Sequence, residues 1–66
     1  MEIILNGEAY NLGAACSVAE LVVRLNLDKR KIAVERNLEI VSKSAYDTAE
    51  IIAGDKIEIV NFIGGG

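Results

Sequence analysis

Gly54-Asp55-Lys56-Ile57-Glu58-Ile59-Val60-Asn61-Phe62 decides how the rest of the chain is arranged. Gly54-Asp55 reads as a turn. The residues after it are rich in β-branched side chains and alternate, with Ile57 and Ile59 on one face and Glu58 and Val60 on the other. That period of two describes a strand with one covered face and one open face. Such a strand needs a neighbour to pair with and something apolar to cover it. Glu2-Ile3-Ile4-Leu5 supplies a neighbour, and Asn6-Gly7 behind it is a strong hairpin signal because both residues accept positive φ. The return strand is expected over residues 9–12, with Tyr10 and Leu12 on one face. Residues 13–16 read as a small-residue loop.

The cover comes from Ser17-Val18-Ala19-Glu20, which has the spacing of a capping box. Val18, Leu21, Val22 and Leu25 come next at helical spacing and form one apolar stripe. Asn26 can end the helix in a left-handed conformation, which sets Leu27 back over the last turn. Ile32-Ala33-Val34-Glu35-Arg36 alternates as a strand, Asn37-Leu38 turns, and Glu39-Ile40-Val41 returns. Residues 42–53 are polar and irregular, with one helical turn expected near 48–51.

The order is therefore β-β-α-β-β-(short helix)-β. One helix must cover one sheet, across the face carrying Ile3, Leu5, Val34, Ile57 and Ile59. A long connection separates the first and last strands, so they can pair in parallel at the sheet centre. This is an α+β, β-grasp (ubiquitin-like) architecture: a mixed sheet of about five strands on one main helix. The expectation is a single domain over residues 1–66, ending in a flexible glycine tail at 63–66.

Composition narrows the function. The chain has 66 residues, 52% hydrophobic and 5% aromatic, so the core must be aliphatic. There is no His and one Cys, which excludes Ser-His and Cys-His catalysis and a Cys/His metal cluster. A net charge of −3 argues against nucleic acid. The basic run Lys29-Arg30-Lys31 is expected to cap the negative end of the helix. No apolar stretch approaches the roughly 18 residues that span a bilayer, so the expected location is cytoplasmic, with no membrane partner. Cys16 precedes the helix cap, where a thiol pKa can fall, but its small-residue setting reads as a bystander. Glu35 and Glu58 could meet across neighbouring strands. A domain this small offers no pocket deep enough to tune them, so they read as a solvated face.

The tail Gly64-Gly65-Gly66 stands out. Glycines cost the most backbone entropy to order, and nothing in the fold asks for three. Without side chains they could thread a narrow channel, and the four residues from Ile63 span at most about 14 Å. At the tip the Gly66 carboxylate is ionised near neutrality. It becomes an acyl donor only with a good leaving group, of which adenylate is the usual one.

The residues Ile3-Ile4-Leu5-Asn6-Gly7-Glu8, Ser17-Val18-Ala19-Glu20-Leu21, Ile32-Ala33-Val34-Glu35-Arg36-Asn37, Glu39-Ile40-Val41, Gly54-Asp55-Lys56-Ile57-Glu58-Ile59-Val60 and Gly64-Gly65-Gly66 run in this order along the whole length. Together they resemble the ThiS-type sulfur carrier proteins of thiamin (thiazole) biosynthesis. The chain departs from that pattern in having no Pro. Family members often carry one after the second and fourth strands, where Asn11-Leu12-Gly13 and Ser42-Lys43-Ser44 stand here. The resemblance implies a carrier and not an enzyme. A ubiquitin-activating-like (ThiF-type) adenylyltransferase would adenylate Gly66 with ATP. Sulfur from a persulfide enzyme would displace AMP to leave a thiocarboxylate, and a thiazole synthase (ThiG-type) would take the sulfur. No cofactor would be bound to the carrier itself.

The open face of the sheet carries Ile4, Ala33 and Val60 among Glu2, Glu35 and Glu58, with Phe62 on the parity of Val60. Ile4, Val60, Phe62 and Ile63 are expected to contact partners, with Glu35 and Glu58 setting orientation. Three other readings fit the same residues: the small subunit of molybdopterin synthase, a ubiquitin-like modifier, and a plain β-grasp binding module.

Overall fold

The structure is a computed structural model that describes residues 1–62; the expected flexible tail at 63–66 lies outside the described residues. The strands are β1 (Glu2–Leu5), β2 (Glu8–Asn11), β3 (Cys16–Ser17), β4 (Ile32–Arg36), β5 (Glu39–Val41), β6 (Glu50–Ile51) and β7 (Lys56–Asn61), with helix α1 at Val18–Arg24. Five of them form one sheet in the order β2-β1-β7-β4-β5. As expected, β1 and β7 run parallel at its centre, with Leu5 beside Ile57. The sheet is mixed, because β1–β2, β4–β5 and β4–β7 are antiparallel.

The local signals act as the sequence indicates. Asn6 and Gly7 take φ values of 50° and 84°, the doubly positive turn that joins β1 to β2. Ser17 Oγ accepts from the Glu20 amide at 3.1 Å, and Glu20 Oε1 accepts from the Ser17 amide at 2.7 Å, which completes the capping box. At the other end Asn26 sits at φ 61°. Its amide donates to the Val23 carbonyl at 2.9 Å, and the Leu27 amide donates to Val22 at 3.0 Å. Those two bonds make a Schellman closure around a non-glycine residue.

Ile3, Ile32, Val34 and Ile57 of the sheet and Val18 and Leu21 of the helix are fully buried, with Val22 beside them. Leu5 and Ile59 pack against that cluster from its margin. Fully burying an aliphatic side chain is worth about 1.5–3 kcal/mol, so this one interlayer holds the domain together.

Three expectations are corrected. The loop at 13–16 ends in β3, which pairs with β6: Cys16 lies opposite Ile51. Residues 48–51 are therefore not a helical turn. The turn is a 3-10 helix earlier, at Lys43–Ala45. The physical reason is Tyr46, which comes directly after it, is 2% exposed and plugs the core under the sheet. The basic run does not cap α1. Lys29–Lys31 form their own 3-10 turn, capped by Asp28 Oδ1 on the Arg30 amide at 2.9 Å. The Arg30 side chain also grips Asp28 with bonds of 3.1 and 3.0 Å, and that grip holds the Asp28 carboxyl at about 2. The pair is exposed and screened, so it shapes the turn more than it stabilises the domain.

Among the described residues, Asp55 is the buried polar residue of the core, 7% exposed. Its Oδ2 accepts from the Ile52 amide at 3.0 Å and its Oδ1 from Asn37 Nδ2 at 3.1 Å. Asn37 Oδ1 in turn accepts from the Lys56 amide at 2.9 Å. The chain Asp55–Asn37–Lys56 thus fixes where β7 begins relative to the β4–β5 turn. That turn places Leu38 at φ 72°, a left-handed conformation that costs a branched side chain about 1–2 kcal/mol.

Candidate functional site

The open face of the sheet is set by the register of its strands. On β4 and β7, Ala33 lies opposite Val60 and Glu35 opposite Glu58. On β5, Ile40 lies opposite Glu35. This half of the face therefore carries Val60, Ala33 and Ile40 with two glutamates directly across from each other. Val60 is 59% exposed and Ile40 68%. Large apolar side chains this open, gathered on one sheet face with a charged neighbour, are a surface of the sort that meets another protein. Ile40 belongs to the site, although the sequence reading does not single it out. Its signal is available there, since Val41 turns inward and Ile40 must turn out.

Ile4 is not beside Val60. The parallel register sets Ile4 next to Lys56, four positions before Val60 along β7, which is roughly 13 Å at strand rise. Ile4 is half-buried, with Ala9 across from it on β2. The face thus has two separate parts: Ile4 with Lys56 and Ala9 at one end, and Val60 with Ala33 near the end of β7. Alternation tells which face each side chain takes but not how far along the sheet it lies. The parity that puts Glu58 and Val60 on the open face puts Lys56 there too, so the rim carries a positive charge at the Ile4 end.

Phe62 stands one residue beyond β7 and is 50% exposed. Its amide donates to the Lys31 carbonyl at 2.7 Å. Its ring centre lies 5.7 Å from Lys43 Nζ, and the same ammonium is 5.8 Å from the centre of the Tyr46 ring. Lys43 Nζ also donates to the Ile32 carbonyl at 2.8 Å. Ile63, Gly64, Gly65 and Gly66 lie outside the described residues.

Cys16 is buried at the start of α1. Burial pushes its thiol up, against a smaller downward pull from Arg24, so it stays protonated and unreactive near neutrality. A shallow groove of about 590 Å³ runs between α1 and the loop before β6, lined by Glu20, Val23, Asp47, Thr48 and Glu50 among others. It is wide open, and Glu20 within it is occupied by the capping box. Among the described residues no group of three or more His, Cys, Asp or Glu side chains could hold a metal ion. No helix among them is long and apolar enough to cross a membrane.

Comparison with known proteins adds to this geometry. The model of the ThiS family matches residues 3–66. The whole chain is 53% identical to a thiazole synthase of Paramagnetospirillum magneticum, of which it spans 20%. It is 40% identical over 50 residues to the sulfur carrier protein ThiS of Bacillus subtilis, covering 76% of each chain. Among solved structures, the crystal structure of the thiamine biosynthesis protein ThiS from Geobacter metallireducens superposes with a TM-score of 0.87, at 32% identity and over 100% of both chains.

Proposed function

The chain belongs to the ThiS family, and on that premise we propose that it is a sulfur carrier for thiamin thiazole synthesis, with Gly66 as its acyl end. The match to a sulfur carrier over the same strand–helix–strand body is the observation that carries this reading. The body folds and addresses; its partners do the chemistry. A ThiF-type enzyme uses ATP to join AMP to the Gly66 carboxylate and releases pyrophosphate. A persulfide sulfur then attacks that acyl carbon, AMP leaves, and reduction of the resulting acyl disulfide by a thiol frees the thiocarboxylate. A thiazole synthase takes up the sulfur. This chemistry draws on ATP and cysteine-derived persulfide, which fits a cytoplasmic protein. The similarity to part of a thiazole synthase supports that partner, because there a unit of this kind belongs to the same polypeptide.

Incubation with ATP, the activating enzyme and a persulfide donor should raise the intact mass by one oxygen-to-sulfur exchange, located in the C-terminal peptide. An unchanged mass with an enzyme active on its own carrier overturns the reading.

The docking face in this proposal is the Val60–Ala33–Ile40 patch, with Phe62 and Ile63 leading to the tail and Ile4 a more distant contact. Glu35 and Glu58 are like charges on directly opposed positions, an arrangement that costs the free domain a few tenths of a kcal/mol. A cationic group on the partner would relieve it, which favours a basic docking surface. Val60→Glu should then raise KM for the carrier in pyrophosphate exchange by about tenfold, near the cost of one buried contact, with no change in Tm. An unaltered KM removes this face from the proposal.

A further inference from the structure

Phe62 is the last described residue before the tail, and Lys43 ties it to the core. Both anchors at the other side of the ammonium are interior groups: Tyr46 is 2% exposed and Ile32 is fully buried. The Lys43 ammonium donates to the Ile32 carbonyl at 2.8 Å and lies within cation–π range of both the Tyr46 and Phe62 rings, at 5.8 and 5.7 Å. The Phe62 amide is meanwhile bonded to Lys31 at 2.7 Å. Ordering a long lysine side chain costs rotamer entropy, and here three interactions offset it at one place. Nothing in the core requires a charge at position 43. An apolar residue would pack against Tyr46 as well.

We propose that Lys43 is a positioning residue: its ammonium, held between Tyr46 and Phe62, fixes the direction in which the chain leaves the sheet toward its C-terminal glycines. The inference rests on the carrier reading above. A tail threaded into a partner spans at most about 14 Å from Ile63, so a swing of about 20° at its root displaces the tip by about 5 Å. That exceeds the tolerance of a reacting carboxylate, for which a misplacement of about 1 Å already costs two orders of magnitude. Fixing the root therefore raises the fraction of carriers that enter the partner in a productive direction. A fraction of that kind multiplies apparent affinity and leaves the chemical step alone.

The test is pyrophosphate exchange by the activating enzyme with the full chain as substrate. Lys43→Met should raise KM about fivefold with kcat little changed, the size of one lost cation–π restraint. Lys43→Arg keeps the charge and stacks on aromatic rings, so it should restore KM. Lys43→Gln can still donate to the Ile32 carbonyl but lacks the charge. It should behave like Lys43→Met, and it is the variant to use if the methionine variant folds poorly. In a Phe62→Leu background the Lys43→Met effect should largely vanish. An unchanged KM, no rescue by arginine, or an equal rise in the Phe62→Leu background overturns the proposal. A wild-type chain that is inert overturns the carrier reading instead. Amide exchange at Phe62 then still judges Lys43: it should quicken about fivefold in Lys43→Met if the latch holds, and an unaltered rate refutes it.

Discussion

A chain lacking Gly65 and Gly66 is expected to lose sulfur transfer altogether while unfolding at the same temperature. The two halves of that result come from different parts of the molecule. The buried hydrophobic residues among those described run from Ile3 to Ile57, so the shortened chain keeps every one of them. Its Tm should stay within about 1 °C, because a shift of several degrees requires about 1 kcal/mol in a domain of this size. The acyl end, by contrast, retreats by two residues, which is about 7 Å of extended chain. A carboxylate that must lie about 3–3.5 Å from the α-phosphorus of ATP cannot be reached by compensating motion over that distance. The mass gain on incubation with activating enzyme, ATP and sulfur donor should disappear, not diminish. A blocked end, with Gly66 as its amide, should fail equally, since it leaves the length intact and removes only the nucleophilic oxygen. Sulfur delivery by either variant would mean that the body carries chemistry of its own. A binding module of the same fold makes the opposite forecast, because its partner affinity resides in the sheet face and survives truncation.

How much of this is legible in the sequence depends on the range of each signal. Asn6-Gly7, the Ser17–Glu20 box and Asn26 are local devices, complete within six residues, and each acts in the structure as its chemistry requires. The alternation in β4 and β7 separates the covered face from the open one, and the exposure of Val60 with the burial of Ile57 agrees with it. Two-residue strands have no period to detect. The pairing of Cys16 with Ile51 is visible only once the helix entry and the last loop are brought together. Register is also beyond alternation. The distance between Ile4 and Val60 depends on which residue of β1 meets Lys56, and Asn6 helps set that: its side-chain oxygen accepts from the Ile59 amide and its own amide donates to the Ile57 carbonyl. Lys43 has the weakest sequence signal of all. It lies in an irregular segment, and its importance comes from two aromatic rings at positions 46 and 62 that only the tertiary fold sets on either side of it.

Tyr46 links these two scales, and its replacement is the second large effect. Its ring is one of the largest fully enclosed side chains of the domain. Truncating a buried aromatic to alanine costs about 3–5 kcal/mol through lost transfer energy and the cavity left behind. A 66-residue domain at about 0.05–0.15 kcal/mol per residue holds only about 3–10 kcal/mol in total. Tyr46→Ala should therefore leave a substantial unfolded population at about 37 °C, seen as a collapse of the urea midpoint. Tyr46→Phe keeps the ring and gives up only the hydroxyl, so a loss of about 1 kcal/mol is expected. Burial also pushes the Tyr46 phenol up, against a smaller pull from a backbone hydrogen bond with Val34. The unfolded chain then ionises first, so wild-type stability is full below pH of about 10 and falls as pH rises through it. Tyr46→Phe should remove that part of the alkaline loss. In pyrophosphate exchange the same variant should keep the wild-type KM, because Lys43 still has a ring on each side. If Tyr46→Ala instead melted within a degree or two of the wild type, the loop before β6 would be a surface feature. Lys43 would then have no fixed point from which to hold Phe62.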